Sequence, residues 1–172
     1  MSEFRLRKAC VGDAKGIQAF LRDCANRGEL LPRALTHLYK HVRDFHVAEL
    51  DDGRLAACCG LSIIWEDLAE IRSLVVVEAF RRQGLGRRIV QACLGEAGSL
   101  GVQRVFALTY QATFFKKLGF VEVDKDMLPQ KIWADCIHCP KYPDCDETAV
   151  LLDLESSDAR YYEEILRSDN AR

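Results

Sequence analysis

Hydrophobic positions recur along the chain at two different intervals, and the switches between them predict a mixed α/β fold. Residues 4–8 read as a strand. After Gly12-Asp13, Ile17, Phe20, Leu21 and Cys24 return at three- and four-residue steps, the mark of a helix with one buried face. Asn26-Arg27-Gly28 supplies its stop. Beyond Pro32 similar steps put Leu35, Leu38, Tyr39 and Val42 on the inner side of a second helix. Residues 45–50 and 54–64 then flank Asp51-Asp52-Gly53, the clearest hairpin pattern in the chain.

Residues 70–77 are rich in β-branched side chains and predict a central strand. Regular alternation along it would place Glu70 and Arg72 on the same face as Leu74 and Val76. A basic, glycine-containing loop over residues 79–88 follows, and Ile89, Val90, Cys93, Leu94 and Ala97 form the inner face of the next helix. Residues 102–110 predict a strand, 111–118 a short helix, 120–123 and 149–154 two further strands. Between the last two, residues 127–146 hold three of the four prolines and the spacing Cys136-x2-Cys139-x5-Cys145, so an irregular excursion is expected there. Tyr161, Ile165 and Leu166 suit a short terminal helix. The organisation expected is one domain over residues 1–155, with 127–146 as an insertion and 156–172 as a helix and polar tail.

Composition narrows the partners. A chain of 172 residues with 49% hydrophobic side chains suits one domain with a substantial core. Lys plus Arg number 24 against 26 Asp plus Glu, a net charge of -2, without the basic excess of a general nucleic-acid binder. No apolar run approaches the roughly 20 residues of a membrane helix, and the amino-terminal segment lacks a signal-like apolar core, so a cytoplasmic protein with no membrane partner is expected. Eight cysteines in such a compartment are expected as packed side chains, reactive thiols or metal ligands rather than disulfides.

The loop carries the first chemistry. Gly84 and Gly86 let the backbone approach a ligand, the helix start behind them presents N–H groups, and Arg81, Arg82, Arg87 and Arg88 add positive charge. That combination suits a phosphate or pyrophosphate. Its spacing matches neither the ATPase loop nor the dinucleotide-binding glycine pattern.

Arg81-Arg82-Gln83-Gly84-Leu85-Gly86, between a Val-rich strand and a helix, resembles the pyrophosphate-binding motif of the GNAT acetyltransferases. The resemblance covers about residues 3 to 154 and implies a mostly antiparallel central sheet flanked by helices, with acetyl-CoA as co-substrate. It implies that Leu74, Val75 and Val76 pair through their backbone with the pantetheine arm. Phe114-Phe115-Lys116-Lys117-Leu118-Gly119-Phe120 resembles the family's later helix-strand junction, which makes Phe114 and Phe115 either core or pantetheine contacts.

Within that family, Leu30-Leu31-Pro32-Arg33, Arg43-Asp44-Phe45, Ala69 to Leu74 and the Cys136-Ile137-His138-Cys139-Pro140 insertion are similar to the short N-acetylglutamate synthases. The reaction implied is acetyl transfer from acetyl-CoA to L-glutamate, in arginine biosynthesis, without the amino-acid-kinase-like domain of larger synthases. An amine that is protonated near neutral pH needs a base, and Glu70 is placed to serve either as that base or as an ion-pair partner for Arg72. The backbone N–H near Val76 would stabilise charge on the thioester oxygen. Many relatives carry an acidic tyrosine where this chain has Phe115, leaving Tyr110 as the substitute proton donor. Arg33, Arg72 and Ser73 are the groups expected to hold glutamate's carboxylates.

Other readings stay open. The acceptor could be another small amine, or the chain could be a CoA-binding sensor without turnover. Cys136, Cys139 and Cys145 could hold a structural zinc ion or be packed thiols, whereas Cys10, Cys24, Cys58, Cys59 and Cys93 are expected in the core. His37 and His41 share a helical face, as an exposed polar edge or a metal pair. A homodimer is expected at this size.

Overall fold

The computed structural model describes residues 4–154, and the terminal helix expected around Tyr161 lies outside them. Seven strands form one sheet: β1 (Phe4–Lys8), β2 (Phe45–Leu50), β3 (Leu55–Trp65), β4 (Leu68–Val76), β5 (Arg104–Thr109), β6 (Val121–Val123) and β7 (Thr148–Asp153), in the order β1-β2-β3-β4-β5-β7-β6. Five helices accompany it: α1 (Ala14–Asn26), α2 (Leu35–Lys40), α3 (Leu85–Ser99), α4 (Ala112–Lys116) and α5 (Pro129–Ala134). Every ladder is antiparallel except that between β4 and β5. The expected mixed, mostly antiparallel sheet flanked by helices is the architecture observed. None of the described helices is long and apolar enough to cross a membrane.

Alternation sorts the side chains into two layers. Ala48, Ala57, Cys59 and Ile71 pack with Ile89, Cys93 and Leu94 of α3 on one face. Phe45, Val47, Cys58 and Val75 pack with Ile17, Leu21 and Cys24 of α1 and Leu38 of α2 on the other. Truncating a fully buried Leu94 to Ala would cost about 2–5 kcal/mol, so α3 is held by its inner face. The second helix is shorter than its pattern suggested: Val42 falls in a separate tight turn and Tyr39 is 40% exposed. The excursion is less irregular than expected, since α5 and a turn at Cys136–His138 lie within it.

Two departures from ideal sheet geometry shape the centre. The β4–β5 ladder runs only through Leu68↔Arg104, Ala69↔Val105 and Glu70↔Phe106 and then ends. Beyond Glu70 the two strands part, leaving β4 backbone groups on that side without a ladder partner. The second departure is a bulge: Cys58 pairs with Val75 but Gly60 with Arg72, so Ser73 and Leu74 together face Cys59. Ser73 takes a left-handed backbone, φ 55°. Gly60 permits the close approach, because a Cβ there would stand 3.3 Å from the Arg72 carbonyl oxygen.

The bulge corrects the alternation expected for this strand. Glu70 and Arg72 share a face, but Leu74 and Val76 emerge on the opposite one, packed with Ile71 on the α3 side. One inserted residue has turned the strand over.

Candidate active site

The two halves of the site lie at β4. On the α3 side the chain leaves Val76, makes a tight turn at Glu78–Phe80 and enters α3 through Arg82 at φ 61° and Gly84 at φ 80°. Two left-handed residues around a helix start leave successive N–H groups pointing outward, a concave donor surface for an anion. A Cβ on Gly86 would meet the Phe114 ring at 3.5 Å and Val76 Cγ2 at 3.6 Å, so strand end, loop and α4 converge there. Val76, Gly86 and Phe114 are thus brought together.

The other loop residues divide by task. Arg81 Nε donates to the Val76 carbonyl at 3.0 Å and Gln83 Nε2 to the Ala79 carbonyl at 3.0 Å, so both side chains brace the loop. Arg88 lies over the Phe4 ring, 4.7 Å from its centroid. Arg82 and Arg87 are exposed, and Leu85 turns its side chain into the core, offering only backbone. Phe115 is corrected outright as a cofactor contact: it is 3% exposed and packed edge-on against Phe114 and Phe120. Val75 points its side chain into the α1 layer, so what it can offer a ligand is its backbone.

Against the other face of β4 lies a cavity of about 630 Å³. It gathers Arg33, Glu70, Arg72 and Ser73, all singled out from sequence, with the three excursion cysteines on its wall. Glu70 is 4% exposed and accepts from Lys131 Nζ at 2.7 Å, and the same ammonium lies 2.7 Å from Asp135 Oδ2. Burial pulls the Lys131 pKa down, but Glu70 and Asp135 outweigh it and leave it raised. Asp135 is lowered on balance: burial opposes its charge, but Lys131 prevails.

The two arginines have little counter-charge. Among the described residues the only carboxylate within ion-pair range of either is Asp44, 3.9 Å from Arg72. Burial, then the neighbouring Arg72 charge, holds the Arg33 guanidinium below its usual pKa. Arg33 Nη1 stands 3.4 Å from His37 Nε2, His37 stacks on His41 at 4.3 Å, and His41 Nδ1 is 3.3 Å from Asp44. Burial, with the charges of His41 and Arg33, lowers the His37 pKa and keeps its ring neutral near pH 7. This relay joins the segment holding Arg33 to the base of β2.

Tyr110 does not reach this cavity. It is 42% exposed, its hydroxyl donates to Asp146, and Lys141 contacts the same oxygen and lies over its ring. The Asp146 bond raises the phenol's pKa, so the group stays protonated, but its role in the structure is to tie the excursion to the end of β5. Lys125 makes a second tie, donating to the Cys145 carbonyl.

Among the described residues no three His, Cys, Asp or Glu side chains converge on a point that could hold a metal ion. Cys136, Cys139 and Cys145 are half-buried free thiols on the cavity wall. Cys24, Cys58, Cys59 and Cys93 are buried as expected, whereas Cys10 is exposed. Lys131, Asp135 and Glu147 are cavity residues that sequence reasoning missed. Burial holds the Glu147 carboxyl above its usual pKa. A lysine between Leu128 and the cysteine pair was the one visible signal, and nothing in its spacing tied it to β4. A buried carboxylate beside two weakly paired guanidiniums can hold an anionic acceptor and take a proton from it.

Known proteins share this fold. Residues 17–120 match the model of the acetyltransferase (GNAT) family. An N-acetyltransferase of Chlorobaculum tepidum is 40% identical over 149 residues, covering 87% of this chain and 96% of that one. An amino-acid acetyltransferase of Mycobacterium tuberculosis is 37% identical over 121 residues, 69% of each chain. The crystal structure of N-acetylglutamate synthase from Neisseria gonorrhoeae, complexed with coenzyme A and N-acetyl-glutamate, superposes with a TM-score of 0.80 at 27% identity. It covers 90% of this chain, which in turn spans 36% of that larger one. With a family model over more than half its length and a relative 40% identical over nearly all of that protein, the chain belongs to the acetyltransferase (GNAT) family.

Proposed function

We propose that the acceptor is L-glutamate and the product N-acetyl-L-glutamate. Acetyl-CoA-dependent acyl transfer follows from the family, and the left-handed loop, the outward N–H groups and the parted β4 edge suit its pyrophosphate and pantetheine arm. The observation that carries the acceptor is the pair Arg33 and Arg72: two guanidiniums in one cavity with Glu70, their nearest ion-pair carboxylate 3.9 Å away. Such a pair calls for an anionic ligand, and a dicarboxylate amino acid supplies two carboxylates and the amine. The likeness to amino-acid acetyltransferases supports the same class.

In this reading Arg33, Arg72 and Ser73 orient the acceptor, and Glu70 takes a proton from its ammonium so that the nitrogen lone pair can attack the thioester carbon. The N–H near Val76 stabilises the charge gathering on the thioester oxygen. Coenzyme A leaves as a thiolate and takes, through water, the second proton that the acceptor nitrogen sheds in becoming an amide, with Tyr110 committed elsewhere.

Coenzyme A release measured across a panel of amino acids tests the acceptor. Turnover with glutamate should exceed that with glutamine or aspartate by about tenfold in kcat/KM, the worth of one charge-assisted contact. Preference for a neutral amino acid or a polyamine would replace the acceptor. Tight acetyl-CoA binding with no turnover would make the chain a sensor.

A further inference from the structure

We propose that Lys131 is a positioning residue that exchanges places with the acceptor's ammonium at Glu70, swinging onto Asp135 as the acceptor binds. The proposal rests on Glu70 being the proton acceptor. Glu70 and Lys131 are paired at 2.7 Å with side chains only 6% and 9% exposed, so the carboxylate's inner surface is already covered by a cation. An acceptor ammonium must come within hydrogen-bond reach of that carboxylate to lose its proton. Two ammonium groups cannot crowd one buried carboxylate without a second anion to take one of them.

Asp135 is that anion. It sits one helical turn beyond Lys131 at the end of α5, its oxygen 2.7 Å from the same Nζ, and its side chain is 45% exposed. Rotation about the lysine stem therefore transfers the ammonium from Glu70 to Asp135 without moving the helix. A lysine suits the exchange, being a compact charge on a flexible stem, whereas a guanidinium would fork onto Glu70 and stay. The ammonium has three donors, two of them used by Glu70 and Asp135. After the swing, the donor released from Glu70 is available to an acceptor carboxylate.

The proton count closes. Lys131 keeps its protons throughout. The acceptor's ammonium gives one proton to Glu70, its freed electron pair forms the N–C bond as the C–S pair departs on sulfur, and the second proton that nitrogen sheds in becoming an amide goes to the departing thiolate.

Asp135→Asn tests the exchange, because it removes the receiving charge from an exposed position and spares the fold. The acceptor KM should rise about tenfold while the acetyl-CoA KM and the melting temperature hold. Lys131→Arg, which keeps the charge but cannot swing free, should raise the acceptor KM to a similar extent. In a Lys131→Gln background the Asp135→Asn substitution should add less than about twofold, since there is no ammonium left to receive. An unchanged acceptor KM in Asp135→Asn, or the same tenfold factor reappearing in the Lys131→Gln background, would overturn the exchange. The parent protein's acceptor panel separates this from the reading beneath it. Turnover of another amine displaces glutamate, and the cycle is then run with that amine; absence of turnover with every amine ends both.

Discussion

The two sides of β4 solve recognition differently. On the α3 side the proposed cofactor surface is made of backbone: left-handed Arg82 and Gly84, the N–H groups at the start of α3 and an unpaired strand edge. Several of its side chains look away, with Arg81 and Gln83 bracing the loop and Phe115 in the core. On the acceptor side the backbone is incidental. Arg33 comes from the segment before α2, Glu70 and Arg72 from β4, and Lys131 and Asp135 from α5, and their charges define the cavity. The first surface survives most substitutions that keep its φ angles; the second changes with single side chains. Under the proposed function, a common donor held by backbone and a particular acceptor held by side chains is a division that lets one scaffold serve many amines.

The largest test of this contrast is Glu70→Gln. It should lower kcat by about 100-fold or more, as loss of a general base does, and leave the acetyl-CoA KM alone; an unchanged kcat and pH-rate profile would remove the role. Next comes a crossed pair. Arg72→Ala should raise the glutamate KM about tenfold with little effect on acetyl-CoA. Gly84→Ala, straining a residue at φ 80° by about 1–2 kcal/mol, should instead raise the acetyl-CoA KM several-fold with little effect on glutamate. Equal effects on both substrates in both variants would dissolve the division. The smallest effect is expected for Tyr110→Phe, less than about twofold in kcat, because that hydroxyl is spent on Asp146; a tenfold fall would restore it as the proton donor.

The same contrast explains what could be read in advance. The glycine loop was legible because a backbone site needs contiguous residues: left-handed turns, a helix start and a strand end follow one another within residues 74–88. The sheet and most helices were legible from periodicity for the same local reason. Lys131 was not, since its partner Glu70 is 61 positions away and no interval in the sequence records which loop folds over which strand. The faces of β4 were misassigned because alternation assumes an unbroken pleat, and the Ser73 bulge has no strong sequence mark. Ser at a left-handed position is unusual, and the strain is carried by tertiary contacts around it.

That bulge also sets how this site can diverge. Point substitutions at Arg33, Arg72 or Lys131 can trade one acceptor for another while the sheet stays intact. Losing Ser73 by a single-codon deletion is a different kind of change. It would let the strand pleat without a break, keeping Leu74 and Val76 toward α3 and Val75 toward α1, but it would take the left-handed turn and a cavity-lining residue away together. The bulge is therefore a one-residue addition that the sheet absorbs without re-sorting its two layers, so the acceptor wall can gain or lose Ser73 while both cores keep their packing.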